Sequence, residues 1–239
     1  MTTRCAPRRA RTGPARWLPL VLAAALIAAA GALTTGHAGS DVKVVVTDEQ
    51  GKPVEDAVVY LAPLDGRPVE RRAGRAVMDQ IDRTFVPYVL PVVAGTAVSF
   101  PNRDNIRHHV YSFSPAKRFE LPLYTVTPAA PVVFDTPGVV ALGCNIHDWM
   151  LAYVYVLATP YFARTDGAGQ GSVPDVPPGR YEARVWHPDL KGGGDKSAKE
   201  VTVGAPEAAS VQFVVSVKRR PRPRPPAHDP RRYEGAQGG

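Results

Sequence analysis

The chain has 239 residues, with 29 Lys+Arg against 22 Asp+Glu, a formal net charge of +7, 25 prolines and two cysteines. That length allows one or two domains once any targeting segment is set aside, and so many prolines argue against long amphipathic helices. The positive charge collects at the two ends and leaves residues 39–217 with 17 basic against 20 acidic side chains, which excludes a nucleic-acid-binding reading of the body.

Residues 1–38 open with Arg4, Arg8, Arg9, Arg11 and Arg16 and no acid. Leu18–Ala32 is then apolar but spans only 15 residues, short of the ~20 that cross a bilayer, and Gly36-His37-Ala38 supplies small residues for a peptidase. The pattern predicts a secretory signal peptide cleaved after Ala38, an exported or periplasmic protein, and no membrane span in the mature form. Cys5 leaves with this segment, so Cys144 becomes the single cysteine. A free thiol in an oxidising compartment needs protection or a purpose, and metal ligation supplies both.

From residue 39 onward the pattern is all-β. Val-, Tyr- and Phe-rich runs recur between Gly, Pro, Asn and Asp: Val42–Thr47, Ala57–Leu61, Phe85–Val93, Thr96–Phe100, Val110–Phe113, Pro131–Phe134, Val139–Leu142, Tyr153–Leu157, Tyr181–Trp186 and Val211–Val217. Their spacing predicts antiparallel strands in a sandwich or barrel. Residues 218–239 are rich in Pro and Arg and almost free of apolar side chains, which predicts an extended or disordered basic tail.

The chemistry concentrates in Cys144-Asn145-Ile146-His147-Asp148-Trp149-Met150, a C-x2-H-x2-M run. Further imidazoles lie upstream in Asn102-Arg103-Asp104-Asn105-Ile106-Arg107-His108-His109-Val110. Thiolate, two imidazoles and a thioether suit copper that changes between Cu(II) and Cu(I), whereas zinc has little use for Met and calcium or magnesium want oxygen. Neighbours on a strand face opposite sides, so only one of His108 and His109 can point at the metal. No paired carboxylates, Ser-His-Asp pattern or phosphate loop is present, so no enzyme activity is expected.

These two blocks resemble the cupredoxins, and among them the amicyanins. NRDNIRHHV follows the family pattern of Asn and Arg ahead of a ligand segment, and GCNIHDWM resembles the short amicyanin ligand loop. FVPYVLPVVAGTAVSFPN resembles the family's second-strand region, so the likeness covers about residues 76–160. It implies a Greek-key β-sandwich with one copper held by His108, Cys144, His147 and Met150, with His109 as the alternative to His108. It also implies supporting roles for Asn102 and for His109, whose backbone amide is expected to donate to the Cys144 sulfur. By the same likeness the protein would exchange electrons with a redox partner such as a c-type cytochrome or a dehydrogenase, in methylamine oxidation for example.

The flanking segments carry a second pattern. Val44-Val45-Val46-Thr47-Asp48-Glu49-Gln50-Gly51-Lys52-Pro53-Val54 leads into Ala57–Leu61; Thr165-Asp166-Gly167-Ala168-Gly169 and Pro178-Gly179-Arg180-Tyr181 follow about 100 residues later. In this order they resemble a carboxypeptidase-regulatory-like, or transthyretin-like, β-sandwich, split into 39–75 and 161–217 around the cupredoxin-like block or packed beside it. Two other functions fit the residues: a copper carrier or sensor, and a structural sandwich whose copper site is secondary.

Overall fold

The computed structural model describes residues 1–2, 39–70, 72–128, 130–192, 198–204, 208–222 and 224–226. The expected signal peptide and most of the basic tail lie outside the described residues. Every helix or strand assigned among those residues is a strand. Two come first, β1 (Ser40–Asp48) and β2 (Val58–Pro63). Ten form the middle of the chain: β3 (Arg75–Val77), β4 (Asp79–Ile81), β5 (Thr84–Val86), β6 (Val89–Val93), β7 (Thr96–Ser99), β8 (His108–Ser114), β9 (Lys117–Tyr124), β10 (Val132–Phe134), β11 (Gly138–Cys144) and β12 (Leu151–Leu157). Five close it: β13 (Phe162–Arg164), β14 (Gln170–Val176), β15 (Gly179–Trp186), β16 (Ala198–Val203) and β17 (Ser210–Val215).

The strands build two cores. In the first, sheet β14-β1-β17 faces sheet β13-β2-β15-β16. Val42, Val44 and Val46 of β1 point inward with the period of two that a strand imposes, and meet Val59, Leu61, Tyr181, Val185 and Phe213. β1 pairs antiparallel with β14 and parallel with β17, joining segments from opposite ends of the chain. The second core draws only on residues 76–156. The five-stranded sheet β6-β12-β11-β8-β9 packs on β10-β7-β3, with Val98, Phe100, Val110, Phe134, Val140, Leu142 and Val154 between them.

The cores meet along β12. Val154 and Val156 face the second core, whereas Tyr155 and Leu157 point the other way and join Val58, Val89 and Trp186 in a third cluster. The Trp186 ring lies 4.8 Å from Tyr155 and 5.9 Å from Tyr153, centroid to centroid. Burial on both faces is why Tyr153–Leu157 reads as a continuous apolar run.

Several strands differ from the sequence expectation. Phe85–Val93 is two strands, because Pro87 interrupts it between β5 and β6. β3, β4, β9, β13, β14 and β16 fall outside the expected set. Each is an edge strand with a half-exposed face, and β9 and β14 contain Pro122 and Pro174. An edge position leaves one side of the strand without a ladder, so a missing N–H is tolerated there. Residues 217–222, the first expected to be strand and the rest tail, are pinned instead. Val217 bridges to Leu190, Arg219 grips Asp48 at 2.6 and 2.8 Å, and Arg222 reaches Glu55 at 2.7 Å and Asp56 at 2.5 Å. Asp48 and Asp56 are buried, and a buried carboxylate requires such partners.

Candidate metal centre

Cys144 ends β11 and is 3% exposed. β11 pairs with β8 at Cys144 opposite Val110, which brings the start of β8 beside the thiol. His108, fully buried, is the first residue of β8, and a bulge separates it from Val110 in the ladder to β9. Bulges re-aim side chains in this way. The loop after Cys144 turns back on itself, with the Met150 N–H donating to the His147 carbonyl at 2.9 Å.

Three donor atoms converge. His108 Nδ1 lies 3.8 Å from Cys144 Sγ, His147 Nδ1 lies 3.6 Å from it, and the two nitrogens are 3.2 Å apart. Lone pairs aimed at one another this closely need a proton or a cation between them. A point equidistant from the three lies about 2.1 Å from each, close to bond lengths of ~2.0–2.3 Å for nitrogen and sulfur on a small transition-metal ion. The three residues can therefore hold a metal ion. Met150 is buried in the same core cluster as Cys144.

The other expected residues take distinct places. The His109 ring turns away from the thiol and pairs with Glu120 at 2.8 Å, while its backbone N–H is directed at the Cys144 sulfur, as is that of Ile146. Asn102 ties the preceding loop together: its amide donates to the Ile106 and Tyr124 carbonyls at 2.8 and 3.0 Å, and its oxygen accepts the Asp104 N–H at 2.9 Å. Asp104, which the sequence did not single out, accepts from His108 Nε2 at 2.7 Å. A carboxylate four residues before a histidine is too common a spacing to have flagged it. Trp149 donates to the Arg83 carbonyl at 3.1 Å, with its ring 5.1 Å from that of His147.

The electrostatics favour a thiolate. Burial works to raise the Cys144 pKa, but the hydrogen bond from His108 and the N–H groups of His109 and Ile146 outweigh it and pull the thiol below its ordinary value. Burial likewise disfavours a charged His108, yet its bonds to Cys144 and Asp104 hold its pKa above the usual range. His147 is pushed down, by burial first and then by charge on His108 and Arg83. The thiol is thus shifted toward the thiolate and His147 toward the neutral imidazole, the forms that ligate a metal.

No protein-family model matches the sequence, and no curated protein does. Solved structures do. A purple cupredoxin from Nitrosopumilus maritimus is 23% identical over 34% of this chain and 99% of its own, with a TM-score of 0.31. A copper-containing nitrite reductase from Thermus scotoductus SA-01 is 21% identical over 48% of this chain, which spans 28% of that protein, with a TM-score of 0.33. A reduced amicyanin variant is 22% identical over 41% of this chain and 99% of its own, with a TM-score of 0.32.

Proposed function

We propose that this chain is an exported, mononuclear copper protein that carries single electrons. The observation that supports this is the convergence of two imidazole Nδ1 atoms and one cysteine sulfur at 3.2–3.8 Å from one another, with a buried methionine on the same loop. One thiolate, two imidazoles and a thioether are a soft, mixed set that suits both copper oxidation states; a zinc site of His and Cys would call for a fourth strong donor. Among the described residues, His108, Cys144 and His147 are the one such group. Copper when bound supplies the one-electron couple.

The protein's own residues do the rest. Cys144 offers a thiolate already favoured by its N–H donors. His108 is held from behind by Asp104, and Met150, buried in the same core cluster as Cys144, would add its thioether. His147 is the half-exposed member, next in sequence to the exposed Ile146, and is the port through which a cytochrome or dehydrogenase would exchange electrons. We read residues 76–160 as the copper-binding sandwich, inserted into a regulatory-like sandwich made of 39–75 and 161–217. The two cores and their residue ranges support this reading.

The test is to add Cu(II) to the full chain and record visible and electron paramagnetic resonance spectra, with Cys144→Ser in parallel. An intense thiolate-to-copper band that the variant lacks, together with reversible voltammetry, is the expected result. A folded protein that binds no copper, or binds it with no such band, overturns the reading. A colourless, exchangeable Cu(I) site would instead indicate a carrier.

A further inference from the structure

Asp104 is the carboxylate most tightly built into the site. Its Oδ2 accepts from His108 Nε2 at 2.7 Å and from the Arg83 N–H at 2.9 Å; its Oδ1 accepts from the Asp82 N–H at 2.7 Å. Its side chain is 11% exposed, and its own N–H is anchored on Asn102. Asp82 and Arg83 form the two-residue turn between β4 and β5, with φ of 52° and 57°. A turn with both central residues left-handed matches the twist of a hairpin and aims its two N–H groups to one side. From that same turn the Arg83 carbonyl accepts the Trp149 indole, and Trp149 lies against His147.

We propose that Asp104 is the positioning residue of the metal centre: it keeps the His108 proton on Nε2, leaving Nδ1 for the metal, and through the Asp82–Arg83 turn and Trp149 it ties both imidazoles to one rigid frame. This rests on the metal-site reading above. A metal-bound histidine commonly donates its other N–H to a carboxylate, which fixes the tautomer and strengthens the ring as a donor. Here the carboxylate accepts from three N–H donors, so its charge is held in place beside the ring. A negative charge at that position favours the more highly charged ion, and so favours Cu(II) over Cu(I). The arrangement links loops that are distant in sequence: residues 82–83, 104–108 and 147–149 share one hydrogen-bonded frame.

The test is Asp104→Asn in the full chain. The amide keeps the shape but removes the charge and must turn its NH2 toward at least one of the three N–H donors. Cu(II) affinity is expected to fall about 10–100-fold, the usual cost of losing such a partner. The ratio of Cu(II) to Cu(I) affinity is expected to fall at least tenfold, read as a rise in reduction potential of about 59 mV per tenfold for one electron. Asp104→Glu, which retains the charge, should recover part of the potential, an effect that a merely structural role would not give. In the metal-free protein, NMR should find a slowly exchanging proton on His108 Nε2 that Asp104→Asn loses. Equal potentials in wild type and Asp104→Asn, with the thiolate band intact in both, overturn this proposal and leave the copper reading standing. A wild type with no thiolate band removes the copper reading, and the proton on Nε2 then decides the Asp104–His108 contact alone. If Asp104→Asn does not fold, the potential of Asp104→Glu decides: an affinity ratio within tenfold of wild type supports the charge, and one shifted by tenfold or more refutes it.

Discussion

Trp186→Ala would test whether the two cores are mechanically one body. Trp186 is 6% exposed and packs with Val58, Val89, Tyr155 and Leu157. A buried aromatic side chain removes about 150–250 Å² from water, which at ~25 cal/mol per Å² gives about 4–6 kcal/mol. That is an upper value, because an unfolded chain already covers part of the ring. Its ring contacts with Tyr155 and Tyr153 add about 0.5–1.5 kcal/mol each. Replacement leaves a cavity, and such truncations cost about 3–5 kcal/mol. For a folded body of this size each kcal/mol lowers Tm by about 2–4 °C, so a drop of about 6–20 °C is expected. The assay is thermal and urea unfolding of metal-free wild type and variant, followed by tyrosine fluorescence and circular dichroism. Because none of the rings or apolar residues around Trp186 is a metal donor, the copper spectrum of the folded variant should match wild type. A loss below about 0.5 kcal/mol, the range typical of surface changes, would refute a packed junction.

Other outcomes follow from the same geometry. Copper at about 100 times its Kd should stabilise wild type by about 2.7 kcal/mol in a thermal shift assay; His108→Gln should lose that shift and His109→Gln should keep it. A Cβ at Gly143 would stand 2.8 Å from the Tyr111 ring, so Gly143→Val should displace Tyr111 and the adjoining Cys144. Its cost should be about 1–3 kcal/mol of overpacking, with a shifted copper spectrum; an unchanged spectrum and Tm would contradict it. Burial above all pushes the Tyr124 phenol up to about 12. A folded pKa above the unfolded value of ~10 gives stability that is complete below pH 10 and lost as pH rises toward 12. Ultraviolet titration should show that phenol ionising late, in step with alkaline unfolding, and Tyr124→Phe should flatten the pH dependence in that window.

The centre was legible where it is local. Cys144, His147 and Met150 lie within seven residues, so their chemistry could be read without knowing the fold. The upstream histidine was harder. Alternation says that one of two neighbours faces inward but not which, and the bulge that orients His108 has no sequence signature. Asp104 was invisible because its role depends on a turn that arrives from residues 82–83, and backbone N–H donors carry no residue identity. Edge strands such as β9 were missed because their prolines and charges look like loop until a neighbouring strand is known. Arg219 and Arg222 read as solvent-exposed charge because the burial of Asp48 and Asp56 is a property of the assembled sandwich.

The pairing of β1 with β14 and β17 has a consequence for the order in which the protein assembles. β1 is near the start of the chain, yet its partners lie at 170–176 and 210–215, and β2 likewise waits for β13 and β15. Strands β3 to β12 have every ladder partner within residues 75–157. Closing a loop costs more as it lengthens, so these shorter-range ladders should form first. Once formed, they hold the ends of that segment together and shorten the effective loop that separates β2 from β13 and β15. Pulsed hydrogen exchange during refolding should then protect amides of β11 and β12 before those of β1 and β17. A core substitution such as Leu142→Ala would then slow closure of a sandwich to which Leu142 does not belong.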